Sequence, residues 1–340
     1  MVDPKSDRQA RARALLAGLQ QEPQRQDLAR ALHFHFVREA DVTALLPSLR
    51  QLPPEAFHGG WLPWVRVDWE WMAGDRDLAR VLARSVLGEP AQSMGVLPDV
   101  LLIGAPKSGT TSLLAYLDAL PGLWCHPRKE LHFFDGRWTW GEEWYRLQFP
   151  SVDGLAGQLA IEATPDYLQD PHAPARAAAL MPHARLIVLL REPLRRALSW
   201  FQHRQRQLGT SEQAEAVIAE ELAQLLDLSV DQRADLGWRE PNCLAGSLYL
   251  DQLIRWHRCY DRHQILVLRF EDLVLDPQAA CQRVARFLGL PHTKITGTAL
   301  ETLGQAWNVA PSPYRPLASG LAGLCRRTVL REALDLWQKL

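Results

Sequence analysis

Several things are scarce in this 340-residue chain, and each scarcity excludes a class of protein. Cysteine occurs five times (Cys125, Cys243, Cys259, Cys281, Cys325), an odd number with no C-x-x-C pair, so neither a disulfide framework nor a thiolate zinc site is expected. There is no H-E-x-x-H and no cluster of aspartates, so no metal is expected. His33-Phe-His35 is the one close histidine pair, and it reads as packing or surface. No apolar run approaches the ~20 residues of a membrane span. The polar start, Met1-Val-Asp-Pro-Lys-Ser-Asp-Arg8, lacks the apolar core of a signal peptide, so a cytoplasmic protein is expected. Net charge is also missing: 38 Lys+Arg against 39 Asp+Glu leave −1, which gives no basic field for nucleic acid.

The chain divides by pattern. Residues 1–96 read as a helical N-terminal extension, with amphipathic segments at Arg8–Leu19, Gln26–Phe36 and Asp75–Leu87. Trp61, Trp64, Trp69 and Trp71 crowd the stretch between them. This region reads either as a cap packed on the remainder of the chain or as a module for docking a partner. Residues 97–340 alternate strand and helix. Apolar runs Val100–Ile103, Leu159–Ile161, Leu186–Leu190 and Ile265–Leu268 predict parallel strands. Helices are predicted at Thr110–Leu120, Ala173–Leu180, Pro193–Leu208 and Pro277–Leu288, with a further acidic one from about Thr210 to Leu226. The expectation is an α/β fold: a P-loop-like three-layer α/β/α sandwich on a central parallel sheet, plus the helical extension.

The most informative stretch is Leu101-Leu-Ile-Gly-Ala-Pro-Lys-Ser-Gly-Thr-Thr-Ser-Leu113. It reads as a buried strand, a small-residue turn and a helix start, whose unpaired amides and dipole suit an anion such as a phosphate. In the ATP/GTP loop, Lys and Ser/Thr follow the last glycine. Here Thr110 takes that position and Lys107 lies in the turn, beside the ligand. A second segment, Ala184–Trp200, carries another buried strand that ends in Arg191, with Pro193 at the first turn of the next helix and Ser199 two turns in. An ATPase would need an acidic residue at such a strand end to organise Mg²⁺. A guanidinium with a hydroxyl instead suits a second phosphate monoester. Arg195, Arg196, Arg204 and Arg206 come next, where an anionic ligand would benefit.

Pro106–Thr111 resembles the P-K-[ST/G]-G-T-[TS] loop of sulfotransferases that use 3′-phosphoadenosine 5′-phosphosulfate (PAPS), and Arg191, Pro193 and Ser199 fit that family's 3′-phosphate pattern. Lys129-Glu-Leu-His-Phe-Phe-Asp135 resembles the K-E-x-x-F-F-[DN] motif of glycan sulfotransferases acting on glucosamine, including heparan sulfate N-deacetylase/N-sulfotransferases. The resemblance covers about residues 99–290, through Glu162–Tyr167, Ser199–His203 and Gly246–Tyr249. It implies sulfuryl transfer from PAPS to a hydroxyl or amine of a glycan or other small-molecule acceptor, with PAP as product. Lys107, Ser108, Gly109, Thr110, Thr111 and Ser112 would hold the 5′-phosphosulfate, and Arg191 and Ser199 the 3′-phosphate. Glu130 would be the general base, His132 a supporting or alternative one, and Asp135 would orient its neighbours. If the segment is extended, alternation puts Glu130, His132 and Phe134 on one face.

The chain departs from the pattern in places. Ala163 stands where relatives often carry a lysine, and the late lysine/glycine-rich phosphate loop with its disulfide is not evident. Trp307 and Arg315 are candidates for adenine stacking and a 3′-phosphate contact, or are an ordinary packed Trp and a surface Arg. Trp124, Trp138, Trp140, Trp144 and Tyr145 read as sugar-stacking or as pocket filling. Two rivals stay open: a P-loop small-molecule or nucleoside kinase, and a non-catalytic nucleotide-binding scaffold.

Overall fold

The computed structural model describes residues 4–25, 27–29, 31–32, 42–57, 62–209, 211–229, 232–233, 242–291 and 319–340. Most of the predicted helix Gln26–Phe36, together with His33, His35, Trp61, Trp307 and Arg315, lies outside them.

In chain order, the described elements begin with α1 (Pro4–Gln21), α2 (Val42–Arg50), α3 (Pro63–Met72), α4 (Arg76–Leu87), β1 (Val100–Gly104), α5 (Thr110–Leu117) and β2 (Leu123–Cys125). Then come α6 (Gly141–Leu147), α7 (Val152–Leu155), β3 (Leu159–Ala163), α8 (Ala173–Leu180), β4 (Arg185–Leu190), α9 (Pro193–Leu208) and α10 (Ala214–Asp227). The last are α11 (Tyr249–His257), β5 (Ile265–Arg269), α12 (Phe270–Leu275), α13 (Pro277–Leu288), α14 (Ser319–Arg327) and α15 (Arg331–Lys339).

Two compact units emerge: residues 1–96 with 142–156, and residues 97–141 with 157–340. The sequence pattern assigns 142–156 to the second unit; packing puts it in the first. The reason is side-chain chemistry. Trp144 is fully buried and its indole donates to the buried Asp68 carboxylate at 3.0 Å. The buried Arg84 guanidinium donates to the carbonyls of Leu147 (2.9 Å) and Phe149 (2.8 Å) and pairs with Glu89 at 2.7 Å. A buried arginine is tolerable only when so satisfied. The apolar core of this unit gathers Leu16, Leu19, Leu49, Val65 and Trp69, with Phe57 edge-on to Trp69 at 5.6 Å. Helix α4 starts where Asp75 accepts from the Leu78 amide and stops at the left-handed Gly88.

The second unit is built on a five-stranded sheet in the order β2-β3-β1-β4-β5, parallel throughout. β1 is buried along its whole length, and in β4 residues Leu186–Leu190 are. Alternate residues Val100, Leu102, Ile187 and Leu189 pack against Leu113 and Leu117 of α5 and Val284 and Leu288 of α13. Each such aliphatic side chain contributes about 1.5–3 kcal/mol by burial. Asp276 caps α13 through the Ala279 amide and Gly289 ends it in the left-handed region. The strand order reverses at β1, the position where open α/β sheets bind ligands beyond their carboxyl ends. The loops after β1, β2, β3 and β4 all emerge there.

Candidate active site

The loop after β1 is shaped by two residues with positive φ, Lys107 (68°) and Gly109 (87°). Lysine in the left-handed region costs about 1–2 kcal/mol, and such strain persists where the surroundings enforce it. A Cβ on Gly104 would lie 2.4 Å from Leu168, and one on Gly109 would lie 2.6 Å from the Phe270 ring. Gly109 begins α5, and no side chain caps that helix. Its first amides are therefore left for a ligand. Thr110 and Ser108 are buried, while Lys107, Thr111 and Ser112 are partly exposed.

Arg191 stands at the end of β4 and ties the second loop to the first. Its Nη1 donates to the Lys107 carbonyl at 3.2 Å, and its guanidinium lies 4.8 Å from the Phe270 ring centre. Phe270 thus touches both loops. Tyr249 donates to the Arg191 carbonyl at 2.9 Å. The Arg191 Nε is buried and has no partner among the described residues. An unpaired buried guanidinium donor beside an uncapped helix start fits a ligand carrying two anionic groups. Ser199 is partly exposed two turns into α9. Arg196, expected among the ligand-facing cations, is fully buried and donates to Ser247 Oγ (2.9 Å) and the Cys243 carbonyl (2.7 Å). It holds α9 to the segment before α11.

The loop after β2 departs from the extended geometry expected of it. Glu130 (φ 70°) and His132 (φ 52°) both adopt the left-handed region, while Phe134 is fully buried. The alternation therefore fails, and the acid and the imidazole are brought together by turns. The end of β3 enforces those turns. The Glu130 amide donates to the Ala163 carbonyl at 2.9 Å and the His132 amide to Thr164 Oγ1 at 3.3 Å. The Phe133 amide donates to the Tyr167 hydroxyl at 2.8 Å. Tyr167 and Thr164 in turn donate to the fully buried Glu162 carboxylate. Glu162, Thr164 and Tyr167 hold the loop after β2 in place.

His132 Nδ1 is 2.7 Å from Asp135 Oδ2, and its Nε2 is 3.8 Å from Glu130 Oε2. Burial disfavours the charged imidazole, but Asp135 and Glu130 outweigh it and raise His132 to about 10. Burial likewise pushes the Glu130 carboxyl up, yet His132 and the Lys129 ammonium prevail and bring it to about 2. Burial also raises Asp166 to about 6. His132, Asp135 and Asp166 lie close enough to share one ion, although the imidazole Nδ1 is already engaged by Asp135. Lys107 is lowered by burial and then by the charges of Arg206, Lys129 and Arg191, with Glu130 opposing. Cations that destabilise one another in this way create a potential that an anionic ligand relieves. Burial and the cations Lys107 and Arg206 lower His203 on α9.

Lys107, Thr111, Glu130, His132 and Arg191 are thus brought to one end of the sheet. Trp144 and Tyr145 are fully buried and belong to the helical unit's packing, while Trp124, Trp138 and Trp140 stay partly exposed. The sequence did not single out Lys129, Phe270, Tyr249 or His203 as site residues, whereas Arg206, expected near an anionic ligand, does act on Lys107 and His203. A lysine beside the proposed base was the one available signal.

The comparisons agree with this geometry. Residues 97–307 match the family described as the sulfotransferase domain. The chain is 30% identical over 202 residues to bifunctional heparan sulfate N-deacetylase/N-sulfotransferase 1 of Caenorhabditis elegans, covering 58% of this chain and 22% of that protein. Its Homo sapiens counterpart matches equally, at 30% over 202 residues, 58% of this chain and 22% of the relative. The chain therefore spans less than a quarter of the length of these relatives. A sulfotransferase from Alicyclobacillus acidocaldarius shares the fold, with a TM-score of 0.50 and 23% identity over 72% of this chain and 99% of that one. No helix among the described residues is long and apolar enough to cross a membrane. With the family match covering most of the sheet unit and the loops around its reversal point, the chain belongs to the sulfotransferase domain family.

Proposed function

We propose that this protein transfers a sulfuryl group from PAPS to a hydroxyl or amine of an acceptor, with a saccharide as the first class to test. The observation that carries the reading is the convergence of the two charged halves of the site: Lys129 Nζ lies 2.8 Å from Thr111 Oγ1 of the anion loop and 2.9 Å from Glu130 Oε1. The base therefore borders the loop that would hold the transferred group.

Residues Lys107–Ser112 bind the 5′-phosphosulfate of the donor, and Arg191 with Ser199 binds its 3′-phosphate. The donor supplies an activated sulfur whose bond to the bridging oxygen breaks, with the electron pair staying on the phosphate. Lys107 neutralises that oxygen. The acceptor oxygen or nitrogen forms the new bond to sulfur, and Glu130 takes its proton. A carboxylate held near 2 is ionised at any working pH but is a weak base. It therefore accepts the proton late, once bond formation has acidified the acceptor. His132, kept protonated by Asp135, orients Glu130 rather than competing for the proton. By analogy with loose phosphoryl transfer, positioning and electrostatics supply most of the rate. Trp307 and Arg315, outside the described residues, are the sequence's candidates for adenine and further 3′-phosphate contacts.

The test is transfer of label from radioactive PAPS to a panel of saccharides with free amines and hydroxyls, beside calorimetry with PAP and with Mg-ATP. Micromolar PAP binding with labelled product supports the reading. Tight Mg-ATP binding with no response to PAP gives the kinase reading instead, and PAP binding with no transfer to any acceptor gives the scaffold.

A further inference from the structure

Lys129 occupies a position that the transfer reaction alone does not require. Its side chain is 21% exposed, and its ammonium is bonded at once to a hydroxyl of the anion loop and to the carboxylate that borders it. An ammonium has donors only. The Thr111 oxygen must therefore accept from Lys129, which leaves the Thr111 O–H to point elsewhere, at a helix start that no side chain caps. A second N–H of the same ammonium fixes Glu130 Oε1. A solvated surface ion pair is worth little. This one has a third partner and groups of both signs around it.

We propose that Lys129 is a positioning residue that couples donor binding to the base: it sets the Thr111 hydroxyl as a donor to the bound anion and holds Glu130 against the same spot. The inference rests on reading Glu130 as the base and the β1–α5 loop as the donor site. The charged groups around Glu130 are Lys129 and His132 on its own loop, Lys107 on the β1–α5 loop, Asp166 after β3, and His203 on α9. Removing Lys129 leaves the others in place and changes one neighbour of the base.

The experiment compares Lys129→Met, Thr111→Val, their double variant and Lys129→Arg. It measures PAP affinity by calorimetry and the single-turnover rate from radiolabelled PAPS across pH. A charged hydrogen bond of this kind predicts that each single variant binds PAP about tenfold more weakly. The double variant is also about tenfold weaker, because both changes remove the same bond. The low-pH fall of the single-turnover rate begins about one unit higher in Lys129→Met, since Glu130 has lost a neighbouring cation, and Lys129→Arg restores it. A lysine that served only the fold would lower stability without moving that limb. Additive losses of about a hundredfold in the double variant, or an unmoved acid limb, overturn the coupling while leaving the donor site and base standing. A wild-type chain indifferent to PAP overturns the underlying reading, and the coupling falls with it.

Discussion

Gly109→Ala probes the site most directly, because two independent costs meet at that residue. The first is backbone: Gly109 has φ 87°, and an L-residue in the left-handed region loses about 1–2 kcal/mol. The second is steric. The added methyl would lie 2.6 Å from Cδ2 and 2.7 Å from Cε2 of Phe270, well inside normal contact, so the ring must move. Arg191 lies 4.8 Å from the centre of that ring, an arrangement worth about 0.5–2 kcal/mol. The total is about 2–4 kcal/mol, part of it lost from folding and part from donor affinity. Thermal unfolding should show a fall of roughly 2–5 °C, and calorimetry a PAP affinity lower by about tenfold or more. Gly209→Ala is the control: it has φ 65° but nothing within 4 Å of the added methyl, so only the backbone cost of about 1 kcal/mol applies. A Gly109→Ala protein that behaves like Gly209→Ala in both assays would refute the claim that Phe270 links the two loops.

Three further outcomes are expected. Lys107→Ala and Glu130→Gln should each lower the single-turnover rate by about 10²-fold or more, with Glu130→Gln keeping PAP affinity within about twofold; near-normal turnover by Glu130→Gln excludes it as the base. His132 is raised from 6.5 to about 10, so its protonated form stabilises the folded state fully below about pH 6.5, and this contribution is lost as pH rises through about 10. Urea unfolding between pH 6 and 11 should therefore show a decline that His132→Asn abolishes; a variant with the same slope counts against it. Trp144→Phe leaves the buried Asp68 without its indole donor and should cost about 1–3 kcal/mol, read as a lower urea midpoint.

The sheet was legible in the sequence because its strands are short apolar runs, the central ones buried on both faces. β1, β3, β4 and β5 announce themselves as short apolar runs, and α9 and α13 begin at Pro193 and Pro277 as read. β2 was missed because Leu123-Trp-Cys125 is too short to show a period. Tyr249–His257 and the two helices within residues 319–339 also went unread. At the site, residue identities were readable and their arrangement was not. Nothing in Lys129-Glu-Leu-His132 signals left-handed turns at two of its residues; these depend on hydrogen bonds to Ala163 and Thr164, about 30 residues on. The same distance hid the support given by Glu162 and Tyr167. Phe270 escaped notice because its role, touching Gly109 and Arg191 together, exists only once β1, β4 and β5 are paired.

The placement of Trp144 has a consequence for how the protein can be made and cut. A fragment ending at residue 96 would lack the indole that donates to Asp68 and the carbonyls that accept from Arg84, keeping only the Arg84–Glu89 pair of these contacts. In chain order, the segment that completes the helical unit follows β1 and β2. Dissection at the obvious boundary yields an incomplete piece, whereas grafting 142–156 onto the first 96 residues through a flexible tether supplies what is missing.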